Sequence, residues 1–231
     1  VSASSLPPDG VRTTSDPPPG ATRLVLLRHG QGSCNVEGTI GGPRGCTGLT
    51  ELGRSQAAAL ATYVASVPEL SSPSALVTSS LPRATETMAI VADALGVPSS
   101  EVMVTAELSE LHPGAADALS WDAYRHRFSV PDWDVDPTVP LSPGGESWSG
   151  FVDRAAEALE GLVASHPGGL VLAATHAGVI EASLLRFLVG SPRGAPHPRL
   201  RLRTAYGSLS EWEHAAGRWQ LRSYNVVPSG R

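Results

Sequence analysis

The chain contains no lysine; all 17 of its basic residues are arginine. Any cation that meets an anion in this protein is therefore an arginine or a protonated histidine. Cysteine is almost as scarce. Cys34 and Cys46 allow one disulfide at most, and they exclude a disulfide framework or a cysteine-rich zinc site. Aromatic residues make up 5% of the 231 positions, so those that cluster are informative. No apolar run approaches the roughly 18 residues that signal a membrane-spanning helix, so no membrane partner is expected. No internal repeat is present. The formal net charge of −5 argues against a nucleic-acid partner. The first twenty residues lack the apolar core of a secretory signal, so a cytoplasmic location is expected.

Apolar residues make up 41% of the chain, enough for a sizeable core. Residues 1–21 are rich in Pro, Ser, Thr, Asp and Gly and read as a flexible tail. Residues 22–231 read as one α/β domain. Within it, RLVLL (23–27) is a short apolar run with the length of a buried strand. A helix follows from an N-cap at Thr50 and stops at Pro68. Further strands are predicted over 75–80, 102–108 and 169–175. Further helices are predicted from Pro82 to Gly96, over 150–165 and over 178–190. The two alternating segments around His214–Gly217 predict a hairpin. Strands alternating with helices imply a three-layer sandwich, a mostly parallel central sheet with helices on both faces. Residues 112–149 are irregular and hold Trp121, Trp133, Trp148 and several prolines; a cap or lid is expected there.

Open sheets of this kind bind ligands at the carboxyl ends of their strands. Three predicted strands end on reactive residues there: Arg28-His29-Gly30; Thr78-Ser79-Ser80 followed by Pro82-Arg83; and Thr175-His176 followed by Ala177-Gly178. Meeting at one edge, they would gather two arginines and two histidines beside helix N-termini. Such a set suits an anion, and a phosphoryl group best.

The motifs in this order resemble the histidine phosphatase superfamily, which includes the cofactor-dependent phosphoglycerate mutases. LVLLRHGQGSCN resembles the opening motif with Arg28, His29, Gly30 and Asn35. LTELGRSQA, SSLPRATET with Arg83, LSE with Glu110, GGES at 144–147 and THAGVI with His176 follow in the family's order. The resemblance implies a phosphoglycerate mutase-like fold and a metal-independent phosphatase that uses no cofactor. It implies His29 as the nucleophile that becomes a phosphohistidine. Arg28, Arg83 and His176 would bind the phosphoryl oxygens, with Asn35 adding a hydrogen bond, and Glu110 would be the acid and base. Glu107 is the alternative acid. Ala177 stands where the family often has glycine, and its backbone N–H is retained. Arg44 is a further phosphate-contact candidate. In the cap, His112, Trp121, Tyr124, Arg125, Arg127 and Trp133 are candidates for substrate contact. Cys34, beside the site, is expected to pack. The run PHPRLRLR (196–203) reads as a basic rim or a solvated strand edge.

The mutase-specific segments are missing: GPRGCTGLT precedes the first helix and LHPGAADALS follows the acid. A phosphatase is therefore favoured over a mutase, and a non-catalytic phosphate-binding module is the third reading. The expected substrate is a small phosphate ester, with inorganic phosphate as product. The sequence names neither that ester nor the oligomeric state.

Overall fold

The computed structural model describes Pro18, residues 20–190 and residues 202–228. The tail expected over 1–21 and the run 196–203 fall largely outside these residues.

Strand β1 (Thr22–Arg28) lies at the middle of a six-stranded sheet of order β3-β2-β4-β1-β5-β6. β4 (Leu170–Thr175) and β5 (Leu209–Ala215) flank it; β2 (Ala75–Ser79) and β3 (Val102–Thr105) extend one side. β1, β2, β3 and β4 run parallel. β5 pairs antiparallel with β1 and forms the expected hairpin with β6 (Arg218–Val226).

The run that opens β1 is apolar because both faces of the strand are covered. Leu24 and Leu26 pack with Val171, Ala173, Phe151, Leu159 and Ile180 on one face. Val25 and Leu27 pack with Leu60, Val64, Met88 and Leu172 on the other. All four residues of the run are fully buried. Each such side chain contributes about 1.5–3 kcal/mol relative to exposure. The first face is covered by α5 (Trp148–Ser165) and α6 (Ala177–Ser183), the second by α2 (Glu51–Ser66) and α3 (Pro82–Ala94). The short α1 (Ser33–Glu37) follows β1, and α4 (Trp121–Arg127) lies in the cap.

The helix starts follow local chemistry. Thr50 caps α2 by accepting the Gly53 N–H, and Ser147 caps α5 by accepting the Gly150 N–H. α5 therefore begins two residues before its predicted start. The predicted strand 102–108 is shorter. It ends at Thr105, and residues 106–108 form a 3-10 turn that buries Leu108 and leaves Glu107 exposed. The predicted helix 178–190 begins at Ala177 and passes at Leu184 into a π-helical turn that ends at Leu188. In the cap, Ile40, Ala116, Tyr124 and Leu141 form a small buried cluster of their own. Among the described residues no helix is long and apolar enough to cross a membrane.

The loop after β1 is pressed against the first turn of α2. A Cβ on Gly30 would overlap the Gly53 carbonyl oxygen, and one on Gly53 would overlap the Gln31 carbonyl oxygen. The Gln31 carbonyl also accepts the Thr50 N–H at 2.9 Å. Gly30 is thus required by helix packing one residue from His29. Both neighbours are backbone and cannot rotate away. Gly30→Ala is expected to destabilise the fold by about 1–3 kcal/mol, as overpacking does. Urea denaturation of the two proteins measures this; an unchanged midpoint would show that the contact yields without cost.

Candidate active site

The sheet register brings the polar strand ends together. Arg28 is in register with Thr175, and the His29 N–H donates to the Thr175 carbonyl at 3.0 Å. His29 and His176 are therefore neighbours, with ring centroids 5.0 Å apart. β2 ends one strand further over, where Ser79 Oγ lies 2.8 Å from His176 Nε2. Arg83, in the first turn of α3, reaches back to the same point.

His29 is 3% exposed, and its ring is fixed from both sides. Nδ1 lies 2.6 Å from the Gly30 carbonyl and donates to it. Arg83 Nε donates to Nε2 at 3.0 Å. This network assigns the tautomer: the proton sits on Nδ1, and the Nε2 lone pair faces the arginine. Burial holds the ring's pKa well below the usual 6.5, and the charges of Arg83 and Arg28 push it further down. His176 is fully buried and is lowered by burial first, then by Arg83 and His29.

The arginines are anchored by carbonyls and a ring. Arg83 Nη1 donates to the Gly41 carbonyl at 2.7 Å, with Cys34 Sγ 4.0 Å away. Arg28 donates to the Thr204 carbonyl and stacks on Tyr206, its guanidinium carbon 4.0 Å from the ring centre. Burial lowers the Arg28 pKa from its ordinary value, while Tyr206 and Glu110 oppose that shift. Neither Arg28 Nε nor His176 Nδ1, both buried, has a hydrogen-bond partner among the described residues. Unpartnered buried polar atoms are rare in folded proteins.

Glu110 is held at the start of α6. Its Oε2 accepts the Gly178 N–H and its Oε1 the Leu111 N–H, each at 3.1 Å. A Cβ on Gly178 would overlap Oε1, so this glycine makes room for the acid. Glu110 lines a cavity of about 460 Å³ together with Arg83, Asn35, Cys34 and Tyr206. Glu107 lines only a neighbouring cavity of about 380 Å³, and its carbonyl accepts from Arg154 Nη1.

The other candidates divide. Asn35 Oδ1 accepts the Gly32 N–H at 3.1 Å, and the residue lines the cavity. Ala177 opens α6 directly after His176. Arg44 is not brought to the site: its side chain is 68% exposed and pairs with Asp117. Trp121, Tyr124 and Trp133 line the main cavity. His112 lines the neighbouring one. Arg125 pairs with Asp122, and Arg127 lies over Phe128. Cys34 and Cys46 are both buried free thiols.

Sequence reasoning missed Tyr206, Ser79 as the partner of His176, and Gly178. Tyr206 was findable only by placing the C-terminal hairpin antiparallel beside β1, because that brings the residues before β5 to the reactive edge. Among the described residues no group of three or more His, Cys, Asp or Glu side chains could hold a metal ion. The positive charge facing the cavity is carried by arginine.

The family model for the histidine phosphatase superfamily, branch 1, matches residues 24–227. A metal-independent phosphoserine phosphatase of Arabidopsis thaliana is 34% identical over 181 residues, 75% of this chain and 71% of that protein. A bifunctional protein of Mycobacterium tuberculosis is 33% identical over 210 residues, 88% of this chain; the chain spans about half, 54%, of its length. Among solved structures, a mycobacterial glucosyl-3-phosphoglycerate phosphatase complexed with VO3 superposes with a TM-score of 0.71. It is 29% identical and covers 88% of this chain and 99% of its own. Matched along nearly all of its sheet, this chain belongs to the histidine phosphatase superfamily.

Proposed function

We propose that this protein removes phosphate from a small phosphate monoester, without a metal ion, through a phosphohistidine at His29. One observation carries the reading: a buried, neutral imidazole whose Nε2 lone pair is held 3.0 Å from the Nε of a buried arginine. A neutral imidazole is a nucleophile, and the surrounding arginines disfavour its protonation. The phosphatase-named relatives support the same reading.

In the first step the Nε2–P bond forms as the ester P–O bond breaks. Glu110, in its acid form, gives its proton to the leaving oxygen. Arg28, Arg83 and His176 neutralise charge on the phosphoryl oxygens, which is where it concentrates. In the second step Glu110 takes a proton from water as its oxygen attacks phosphorus. The N–P bond breaks, inorganic phosphate leaves, and His29 returns to its neutral form. The role of a catalytic metal passes to two guanidinium groups held by carbonyls and an aromatic ring.

Three results are expected in EDTA, with turnover followed on p-nitrophenyl phosphate. Wild type turns over and His29→Ala does not. Phosphoenzyme trapped from labelled substrate disappears with the same substitution, and Glu110→Gln lowers kcat by about 10²–10⁴-fold. A folded wild type that neither turns over nor takes up label would refute the proposal.

The buried histidines also set a pH dependence. In the unfolded chain each ring gains a proton as the pH falls through about 6.5, while the folded rings stay neutral. The unfolded state then binds more protons, so stability falls as the pH drops below about 6.5. The slope approaches about 1.4 kcal/mol per pH unit for each ring. Above that pH the two rings add no dependence. Urea midpoints between pH 8 and 5 test this, with imidazole NMR expected to show neither ring titrating near its ordinary value. A ring titrating near 6.5 in the folded protein would contradict it.

A further inference from the structure

The main cavity has two chemically different ends. At one end stand Arg83, Glu110 and Asn35. The remaining wall is formed mainly by apolar side chains, among them Ile40, Leu111, Trp121, Val130, Trp133 and Trp148. Three of the five tryptophans of a chain poor in aromatics are gathered here. Their polar edges do not all face the cavity: Trp133 Nε1 donates to the Val139 carbonyl at 2.8 Å. Tyr124, on the same wall, spends its hydroxyl on the Leu141 carbonyl at 2.9 Å.

Charge is as informative as the apolar wall. Among the described residues, Arg83 and Glu110 are the only charged side chains that line this cavity, and both stand at the phosphoryl end. Three of the nearby arginines have acidic partners, and Arg127 lies over Phe128. Arg44 pairs with Asp117, Arg125 with Asp122, and Arg154 with Glu146. A carboxylate carried by the leaving group would therefore enter an apolar, tryptophan-lined space in which, among the described residues, Arg83 is the only cation. A charge that gives up water against such a wall gains no ion pair from it in return. The volume of about 460 Å³ also exceeds the needs of a three-carbon acid and falls within the range of sites that take drug-sized ligands.

We infer that the alcohol released by this enzyme is uncharged and apolar, bearing an aromatic or comparably bulky hydrocarbon group that packs among Trp121, Trp133, Trp148 and Val130. This rests on the phosphomonoesterase reading and sharpens it. It separates the chain from relatives whose names state phosphoserine or glucosyl-3-phosphoglycerate as substrate, since both of those esters carry a carboxylate.

The test must hold leaving-group reactivity nearly constant, so it uses alkyl esters. Values of kcat/KM are compared for 2-phenylethyl phosphate, ethyl phosphate, O-phosphoserine and 3-phosphoglycerate, with p-nitrophenyl phosphate as the activity control. The expected order places 2-phenylethyl phosphate at least about 100-fold above both carboxylate esters. Trp121→Ala, at a residue 44% exposed, should cut the ratio of 2-phenylethyl to ethyl phosphate by roughly 10-fold. Val130→Arg, at a residue 59% exposed, puts a cation on the apolar wall and should raise 3-phosphoglycerate turnover relative to 2-phenylethyl phosphate. Circular dichroism confirms that each variant is folded. Turnover of O-phosphoserine or 3-phosphoglycerate equal to or above that of 2-phenylethyl phosphate, with p-nitrophenyl phosphate cleaved normally, overturns the inference and leaves the phosphatase reading standing. Ratios that neither variant moves overturn it as well. A protein that cleaves none of the esters and forms no phosphoenzyme overturns both.

Discussion

The hydrogen bond from the His29 N–H to the Thr175 carbonyl fixes the site. It continues the parallel ladder between β1 and β4 one residue past the last strand pair, Arg28 with Thr175. A slip of one residue would turn every side chain of β1 to the opposite face. Leu24 and Leu26 would change places with Val25 and Leu27, and His29 would leave His176. Full burial of the run on both faces makes such a slip costly. The same packing that builds the core therefore sets the distance between the two imidazoles.

Around that fixed pair the protein arranges charge without using acidic partners for its site arginines. Arg83 is held by the Gly41 carbonyl and by the His29 lone pair; Arg28 is held by the Thr204 carbonyl and the Tyr206 ring. Carbonyls and rings orient a guanidinium without neutralising it, so both cations stay available to an anion. Other arginines pair with Asp or Glu, as Arg23 does with Glu211 and Arg54 with Glu86. Lysine would not serve in the anchored positions, because a planar fork can hold a carbonyl with one edge and present another.

Much of this was legible in the residues. The apolar run ending on Arg28-His29 marked a buried strand by its length, and Thr50 and Pro82 marked helix starts by their local chemistry. Strand ends with reactive residues then pointed to one edge. What escaped depended on neighbours distant in sequence. Tyr206 acts only because an antiparallel strand lies beside β1, and sheet order is not written in any local pattern. Gly178, rather than Ala177, carries the steric requirement, because the nearby group is a carboxylate arriving from the far side of the sheet. Arg44 had the chemistry of a phosphate contact, but Asp117 holds it away. The cap helix is only seven residues long, too short for its period to stand out in the sequence. Trp121 and Tyr124 face the cavity, while Arg125 and Arg127 on the same short helix do not.

The place of β1 in the sheet also governs when the molecule can become itself. Both strands that flank it come late in the chain, β4 from Leu170 and β5 from Leu209. The residues that open the site, Arg28 and His29, are synthesised early and wait for partners most of the chain away. Such long-range pairing is the mark of slow-folding topologies, because the entropy of closing large loops is spent before the contacts repay it. A nascent chain that has emerged only as far as α5 (Trp148–Ser165) holds His29, Arg28, Arg83 and Glu110. It lacks both flanking strands, the second histidine and the ring beneath Arg28, so its central strand has no neighbours and its charged edge has no shape.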